Sequence, residues 1–168
     1  KCVIVRAHFS DGLKYAGMIS DALWTDFNSD NKMDLIVAGE FMPIIAFKNT
    51  GSKLVRLEDS GLEKFSGWWN SITGADFDKD GDTDYVAGNL GLNNYYNMSD
   101  DQPLRVYAKD FDDNGSIDAI VSSYFKSEEG DMREYPVHFW DELNSQSPKF
   151  RNQFSSYKQY GGASMDIL

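Results

Sequence analysis

The chain has 168 residues, the length of one ordinary domain or of part of a larger repeat protein. Its content of 41% hydrophobic and 14% aromatic residues is enough for a packed core, which excludes global disorder. The formal net charge of −11 argues against nucleic acid and anionic membrane surfaces as partners, because both attract basic proteins.

The N-terminal segment "KCVIVRAHF" has no initiator Met and no signal peptide, so we expect the chain to be a fragment of a longer precursor. Cys2 is the single cysteine, which excludes an internal disulfide. No apolar run reaches the roughly 20 residues that a membrane span requires, so no span is predicted.

One sequence plan occurs three times along the chain. An alternating apolar segment ends in Asp-Phe, an acidic loop follows, an Asp comes seven residues after the Phe, and a second apolar segment begins. The three copies are "DALWTDFNSDNKMDLIVAGE" (21–40), "SITGADFDKDGDTDYVAGNL" (71–90) and "LRVYAKDFDDNGSIDAIVSS" (104–123). Internal repeats at this spacing indicate a propeller, a solenoid or another repeat array.

The apolar segments beside each loop predict β-strands, because they are short, rich in β-branched and aromatic residues, and bounded by Gly, Asn and Asp. Between the first two copies, "MPIIAFKNTGSKLVRLED" predicts two more strands around a turn at 49–51. Four antiparallel strands in about 50 residues make a propeller blade. We therefore predict an all-β fold over residues 1–168, with about three four-stranded blades forming an open fragment of a larger β-propeller. Its open blade faces are expected to allow self-association.

The C-terminal third adds two expectations. "MREYPVHFW" predicts a further strand. The helical spacing of Phe150, Phe154, Tyr157 and Tyr160 predicts a short helix near the C-terminus.

The three acidic loops are residues 26–34 (loop 1), 76–84 (loop 2) and 110–118 (loop 3), each of the form D-x-[DN]-x-[DN]-[GN]-x-x-D. Side-chain oxygens at positions 1, 3, 5 and 9, with the carbonyl at position 7, would make an all-oxygen shell of the kind that Ca²⁺ prefers. Gly or Asn at position 6 suits a positive φ. The predicted metal ligands are Asp26, Asn28, Asp30, Lys32 and Asp34 in loop 1, Asp76, Asp78, Asp80, Asp82 and Asp84 in loop 2, and Asp110, Asp112, Asn114, Ser116 and Asp118 in loop 3.

Electrostatics also favours bound metal. Two carboxylates about 5 Å apart repel by roughly 3 kcal/mol at an effective dielectric constant of about 20. Several such pairs in one loop would exceed what a marginally stable domain tolerates, whereas a divalent cation reverses the sign. The sequence therefore predicts up to three Ca²⁺ ions, with Asp82 lending its carbonyl and pointing its side chain outward.

The acidic loops have two other interpretations. An EF-hand needs a Glu at position 12, but Val37, Ala87 and Val121 stand there. Solvated Asp-Gly turns without metal remain the alternative to a calcium site.

The Asp-Phe entry, the nine-residue acidic loop and the following "DLIVAGE" or "DYVAGNLG" resemble the FG-GAP (VCBS-type) repeats of integrin α-subunit propellers and their bacterial relatives. Two longer segments resemble a narrower bacterial group of proteins that often carry an ASPIC-type C-terminal domain. These segments are "GWWNSITGADFDKDGDTDYVAGNLGLN" and "DALWTDFNSDNKMDLIVAGEFMPI". This resemblance implies Ca²⁺ at the loops and an extracytoplasmic location: secreted, periplasmic or at the cell surface.

The leading functional hypothesis is a non-enzymatic, calcium-binding interaction or adhesion module with an unknown protein or glycan ligand. No G-x-S-x-G, P-loop or dinucleotide-binding motif occurs, and His8 and His138 lack partners at zinc-site spacing. One alternative is a carbohydrate-binding or carbohydrate-processing propeller that stacks sugars on Trp68, Trp69, Tyr95 and Tyr96. Another is a structural spacer of a larger surface enzyme.

Overall fold

The computed structural model describes residues 10–96 and 98–168. Cys2 and His8 lie outside the described residues. The chain divides into two compact units, Lys1–Gly91 and Leu92–Leu168. Within the described residues, no helix is long and apolar enough to cross a membrane.

The main sheet of the first unit is four-stranded and antiparallel, in the order β1-β2-β4-β5. Loop 1 joins its first two strands, and the predicted turn at 49–51 joins its last two, as expected for one complete blade. Its strands are β1 (Met18–Thr25), β2 (Asp34–Glu40), β4 (Ile45–Asn49) and β5 (Leu54–Arg56). The two-residue strand β3 (Met42–Pro43) lies outside this sheet and pairs with β6 (Ser66–Gly67).

Both faces of β2 are buried, which explains its continuous apolar run. Successive side chains alternate between the faces. Val37 packs with Phe47 and Leu54 on one face, while Ile36 packs with Ile72 on the other. The first face also contacts Leu13, in a 3-10 turn at Asp11–Leu13.

The second sheet of this unit consists of β7 (Trp69–Ala75) and β8 (Asp84–Asn89), joined by loop 2. It packs against β1 and β2. The hydroxyls of Thr25 and Tyr85 form a hydrogen bond of 2.8 Å between the two sheets.

The second unit contains a three-stranded antiparallel sheet in the order β11-β10-β9, followed by short helices. Loop 3 joins β9 to β10. The elements are β9 (Arg105–Lys109), β10 (Asp118–Lys126), β11 (Met132–Pro136), α1 (Trp140–Gln146), α2 (Lys149–Gln153) and α3 (Tyr157–Gly161). Ile120 on β10 packs against Leu143, Phe150 and Tyr160 from the helices, so these helices cover one face of the sheet.

The all-β prediction is confirmed, with four, two and three strands in the three successive sheets that carry loops. Two local details differ from expectation. The predicted C-terminal helix is split into α2 and α3, because Phe154 is extended and the Ser156 side chain starts α3 by accepting the Gln159 N–H. The strand predicted for "MREYPVHFW" ends at Pro136, and its last residue, Trp140, begins α1.

Candidate metal centre

The three acidic loops share one backbone conformation. Positions 4 and 6 have positive φ in each of them, and this repeated pair of left-handed residues curls the backbone around the side chains at positions 1, 3 and 5. The φ values are 58° and 62° for Ser29 and Asn31, 66° and 99° for Lys79 and Gly81, and 60° and 89° for Asp113 and Gly115. The prediction for position 6 is confirmed. Position 4 carried no sequence signal, because Ser, Lys and Asp stand there.

The carboxylate at position 1 is anchored in the same way in every loop. It accepts the backbone N–H of position 6 at 2.8 Å in loop 1, 3.1 Å in loop 2 and 2.8 Å in loop 3. For Asp110, the hydrogen bond from Gly115 is the largest influence and, with its neighbours, lowers the pKa of the carboxyl despite partial desolvation. The Asp110 carboxylate is therefore held ionised at the centre of its curl.

Position 5 is bound to position 7 in every loop. The N–H of position 7 donates to the position-5 side chain at 3.0 Å, 3.1 Å and 2.7 Å, and the donor–acceptor pairs are Lys32–Asp30, Asp82–Asp80 and Ser116–Asn114. The backbone of the predicted position-7 residue is therefore held beside the position-5 side chain in all three loops.

Loop 2 brings three predicted ligands together. Asp76, Asp78 and Asp84 each offer a carboxylate oxygen, and these oxygens lie within 4.8 Å of one another. The N–H of Phe77 donates to Asp84 Oδ2 at 2.9 Å, which holds the position-9 carboxylate toward position 1. Asp80 and Asp82 lie outside this trio.

The negative charges of loop 2 affect the pKa of Asp82. The negative charge of Asp80 and a hydrogen bond with it, followed by burial and the charges of Asp84 and Asp76, raise the pKa of Asp82. The loop is therefore under the electrostatic repulsion expected from its sequence, and a cation would relieve it.

Loop 3 forms the corresponding trio from Asp110, Asp112 and Asp118, also with oxygens within 4.8 Å of one another. Asp118 is buried and accepts the N–H of Phe111 at 3.0 Å. Asp112 Oδ1 is buried and has no hydrogen-bond partner among the described residues. A buried carboxylate oxygen without a partner is costly, and a hard cation would satisfy it. The residues of loop 3 therefore fit a Ca²⁺ ion.

Loop 1 does not form an equivalent trio, since the clustered carboxylates among the described residues are those of loops 2 and 3. Both oxygens of Asp34 accept hydrogen bonds, one from the Asn28 side-chain amide at 2.9 Å and one from the Asn49 N–H at 2.7 Å. Asp30 faces two ammonium groups, those of Lys32 at 3.4 Å and Lys48 at 3.6 Å. Desolvation, the largest single influence, acts to raise the pKa of Asp30, but the Lys32 N–H and the two ammonium groups together outweigh it and lower that pKa.

The two tryptophans at 68–69 and His138 make contacts with residues outside the acidic loops. Trp69 packs against the apolar cluster between the two sheets of the first unit and donates its Nε1–H to the Phe65 carbonyl at 3.0 Å. Trp68 lies against Phe41, with 5.1 Å between ring centroids. His138 accepts the N–H of Val121 through Nε2 at 3.1 Å, which gives this imidazole a structural contact with β10.

Antiparallel sheets that carry the same acidic loop between consecutive strands define a β-propeller-type repeat module. Residues 26–87 match the family model described as an FG-GAP-like repeat, so the chain carries an FG-GAP-like repeat that includes all of loops 1 and 2. Loop 3, which has the same backbone conformation, lies beyond the matched residues. No curated protein and no solved structure matched the chain.

Proposed function

We propose that this chain is a non-enzymatic, calcium-binding β-propeller module in which loops 2 and 3 each hold one Ca²⁺ ion. The observation that carries the proposal is the trio of loop 3, where Asp110, Asp112 and Asp118 converge and Asp112 Oδ1 is buried without a partner. Loop 2 offers the same constellation in a more exposed setting.

Calcium suits these loops better than magnesium does. Ca²⁺ accepts six to eight oxygen ligands in flexible geometry, whereas Mg²⁺ demands a near-ideal octahedron and keeps several waters. Short loops with carboxylate, amide and backbone oxygens match the first requirement. A ligand that binds only the folded state stabilises it by about 2.7 kcal/mol at 100 times its dissociation constant. The role of the ion is therefore to hold the loops, and with them the paired strands, in the folded state.

The metal assignment is tested by calorimetric Ca²⁺ titration and by thermal unfolding with and without EDTA. We expect Ca²⁺ to raise the melting temperature and Asp112→Asn to abolish one bound ion. Asp113→Asn is the matched control, because this residue lies in the same loop but is exposed, pairs with Lys149 at 2.9 Å and stands outside the trio. A melting temperature insensitive to EDTA, together with no heat of Ca²⁺ binding, would show that the loops are metal-free turns.

The biological role that we propose is interaction or adhesion at an extracytoplasmic surface, in the secreted or periplasmic space or at the cell surface. Weak calcium sites of extracellular modules work at about 10⁻⁴ to 10⁻³ M Ca²⁺, and short, partly exposed loops of this kind fit that class. The resemblance of the loop segments to the bacterial ASPIC-associated group favours a bacterial surface protein. A titration that gives submicromolar dissociation constants would argue for an intracellular calcium sensor instead.

A carbohydrate ligand is the second candidate, favoured by an exposed aromatic group in the second unit. Tyr95 is 75% exposed, and its ring lies 5.5 Å from that of Phe125 and 6.0 Å from that of Tyr96. Aromatic faces of this kind stack on the apolar faces of sugars. A glycan array separates the candidates: binding that is lost in Tyr95→Ala but kept in Tyr15→Ala, another exposed tyrosine, favours a sugar ligand. A structural spacer would bind neither glycans nor proteins.

A further inference from the structure

We propose that Lys48 is the built-in counter-ion of loop 1, so that this loop folds without metal and the module binds two calcium ions rather than three. The ammonium group of Lys48 supplies positive charge to the position-5 carboxylate, which loops 2 and 3 would obtain from a divalent ion. The stoichiometry of two rests on the proposed calcium binding of loops 2 and 3, whereas the role of Lys48 can be tested without metal.

Two positively charged side chains lie close to the Asp30 carboxylate. Its Oδ2 lies 3.6 Å from the Lys48 ammonium and 3.4 Å from that of Lys32. The Asp30 side chain is 25% exposed, and that of Lys48 is 43% exposed, so water screens this pair incompletely. A divalent cation at the loop centre would have to approach against two positive charges.

In loop 1, the position-9 carboxylate is already satisfied by two hydrogen bonds from within the chain, so it does not require a metal to fold. Asp34 is fully buried, and its two oxygens accept the Asn49 N–H and the Asn28 side-chain amide. Asn28 thus presents its nitrogen to Asp34 at the position where loop 2 has a carboxylate in its trio. In loop 1, hydrogen bonds within the chain therefore satisfy the position-9 carboxylate without a cation.

Strand pairing brings Lys48 to loop 1. The register of β2 and β4 pairs Leu35 with Phe47, so the strands continue with Asp34 on one side and with Lys48 and Asn49 on the other. The end of β4 therefore delivers both the counter-ion and the N–H that occupy loop 1. In this four-stranded sheet, the third strand therefore supplies the groups that close loop 1.

Loops 2 and 3 lack this closure among the described residues. Loop 2 belongs to a sheet of two strands, β7 and β8, so no third strand reaches its loop. In loop 3, Lys149 from α2 pairs with Asp113 at position 4, which lies outside the trio. Neither trio forms an ion pair within the part of the chain that the structure describes.

The number of bound ions, measured by calorimetric Ca²⁺ titration of the intact chain, tests the stoichiometry. We expect two ions for the unmodified chain, two for Asp26→Asn in loop 1, and one each for Asp78→Asn in loop 2 and Asp112→Asn in loop 3. Three ions, one of which is lost in Asp26→Asn, would overturn the inference and leave the proposed function intact. No bound ion at all would overturn the proposed function, and the role of Lys48 is then decided by the next measurement.

Thermal unfolding in EDTA tests Lys48 directly. We expect Lys48→Gln to lower the melting temperature by roughly 1–3 °C at low salt, and this difference to shrink in about 1 M NaCl. Lys53→Gln is the matched control, because the Lys53 side chain forms no ion pair in the described part of the chain. Equal melting temperatures for the two variants at low salt would overturn the counter-ion role.

Discussion

The carboxylate of Asp21 accepts a hydrogen bond from the backbone N–H of Ile72, with 2.9 Å between Asp21 Oδ2 and the nitrogen. The two residues are 51 positions apart and belong to β1 and β7, so the bond joins two successive sheets of the first unit. Asp21 lies where the register of β1 shifts between Ile19 and Asp21. This irregularity occurs at the point where the side chain reaches the free edge of the neighbouring sheet.

Removing this carboxylate is expected to destabilise the first unit. Asp21→Ala leaves the Ile72 N–H without its partner, and a lost hydrogen bond to a charged group costs about 1.5–3 kcal/mol. Urea unfolding measures the loss, with Asp59→Ala, an exposed aspartate near the end of β5, as the control. Equal stability of the two variants would show that apolar packing alone joins the sheets.

Because the backbone at position 6 is left-handed, an alanine substitution there should lower the stability of the protein. Gly81 has a φ of 99°, and a Cβ added there would meet no atom within 4 Å, so Gly81→Ala would suffer from its backbone conformation alone. We expect a loss of about 1–2 kcal/mol and weaker Ca²⁺ binding by loop 2. Gly161→Ala, in α3, also has open space around the added Cβ but no positive φ, and should be neutral or slightly stabilising. Equal effects at the two glycines would contradict the backbone argument.

Substitution by Asn should have different effects on Ca²⁺ binding at two aspartates of loop 2. Asp84→Asn weakens the trio and should abolish the ion of loop 2, which a Ca²⁺ titration measures. Asp82→Asn removes a charge that Asp80 repels, so it should retain the ion and raise the melting temperature in EDTA. Loss of the ion in Asp82→Asn would mean that its carboxylate, and not only its backbone, binds the metal.

The second unit should lose stability in strong alkali through Tyr160. Burial, aided by the negative charge of Glu142, raises the pKa of Tyr160 to about 12, whereas an unfolded tyrosine titrates near pH 10. Because the folded pKa is the higher one, this contribution to stability is fully present below about pH 10 and is lost as the pH rises toward about 12. Tyrosinate absorbance and unfolding free energy measured over this range report the effect.

Tyr160→Phe is the variant that isolates this tyrosine. It removes the hydrogen bond to the His138 carbonyl, at 2.6 Å, and should cost about 1 kcal/mol at pH 8. It should also flatten the alkaline loss of stability, whereas Tyr15→Phe, at an exposed tyrosine, should not. An unchanged alkaline profile in Tyr160→Phe would place the effect at another group.

The loops and the strands beside them were predictable because their signals are local. Each acidic loop begins at an Asp-Phe pair and ends in an apolar strand, and the left-handed position 6 is marked by Gly or Asn. Position 4 was missed because Ser29, Lys79 and Asp113 adopt positive φ without a residue type that announces it. The break between α2 and α3 was missed because the aromatic spacing continues across Phe154, although the backbone there is extended.

By itself, the sequence determined the repeat, the antiparallel strands and the places where acidic oxygens gather. These depend on residue types a few positions apart, whose steric and electrostatic preferences act within one loop or one strand. The tertiary structure decided which groups from elsewhere in the chain approach each loop. Lys48 and Asn49 reach loop 1 only because β4 pairs with β2, and Asp112 Oδ1 is shielded from water only in the folded unit. Strand pairing and burial join residues that are distant in the chain, and such contacts leave no spacing pattern in a single sequence.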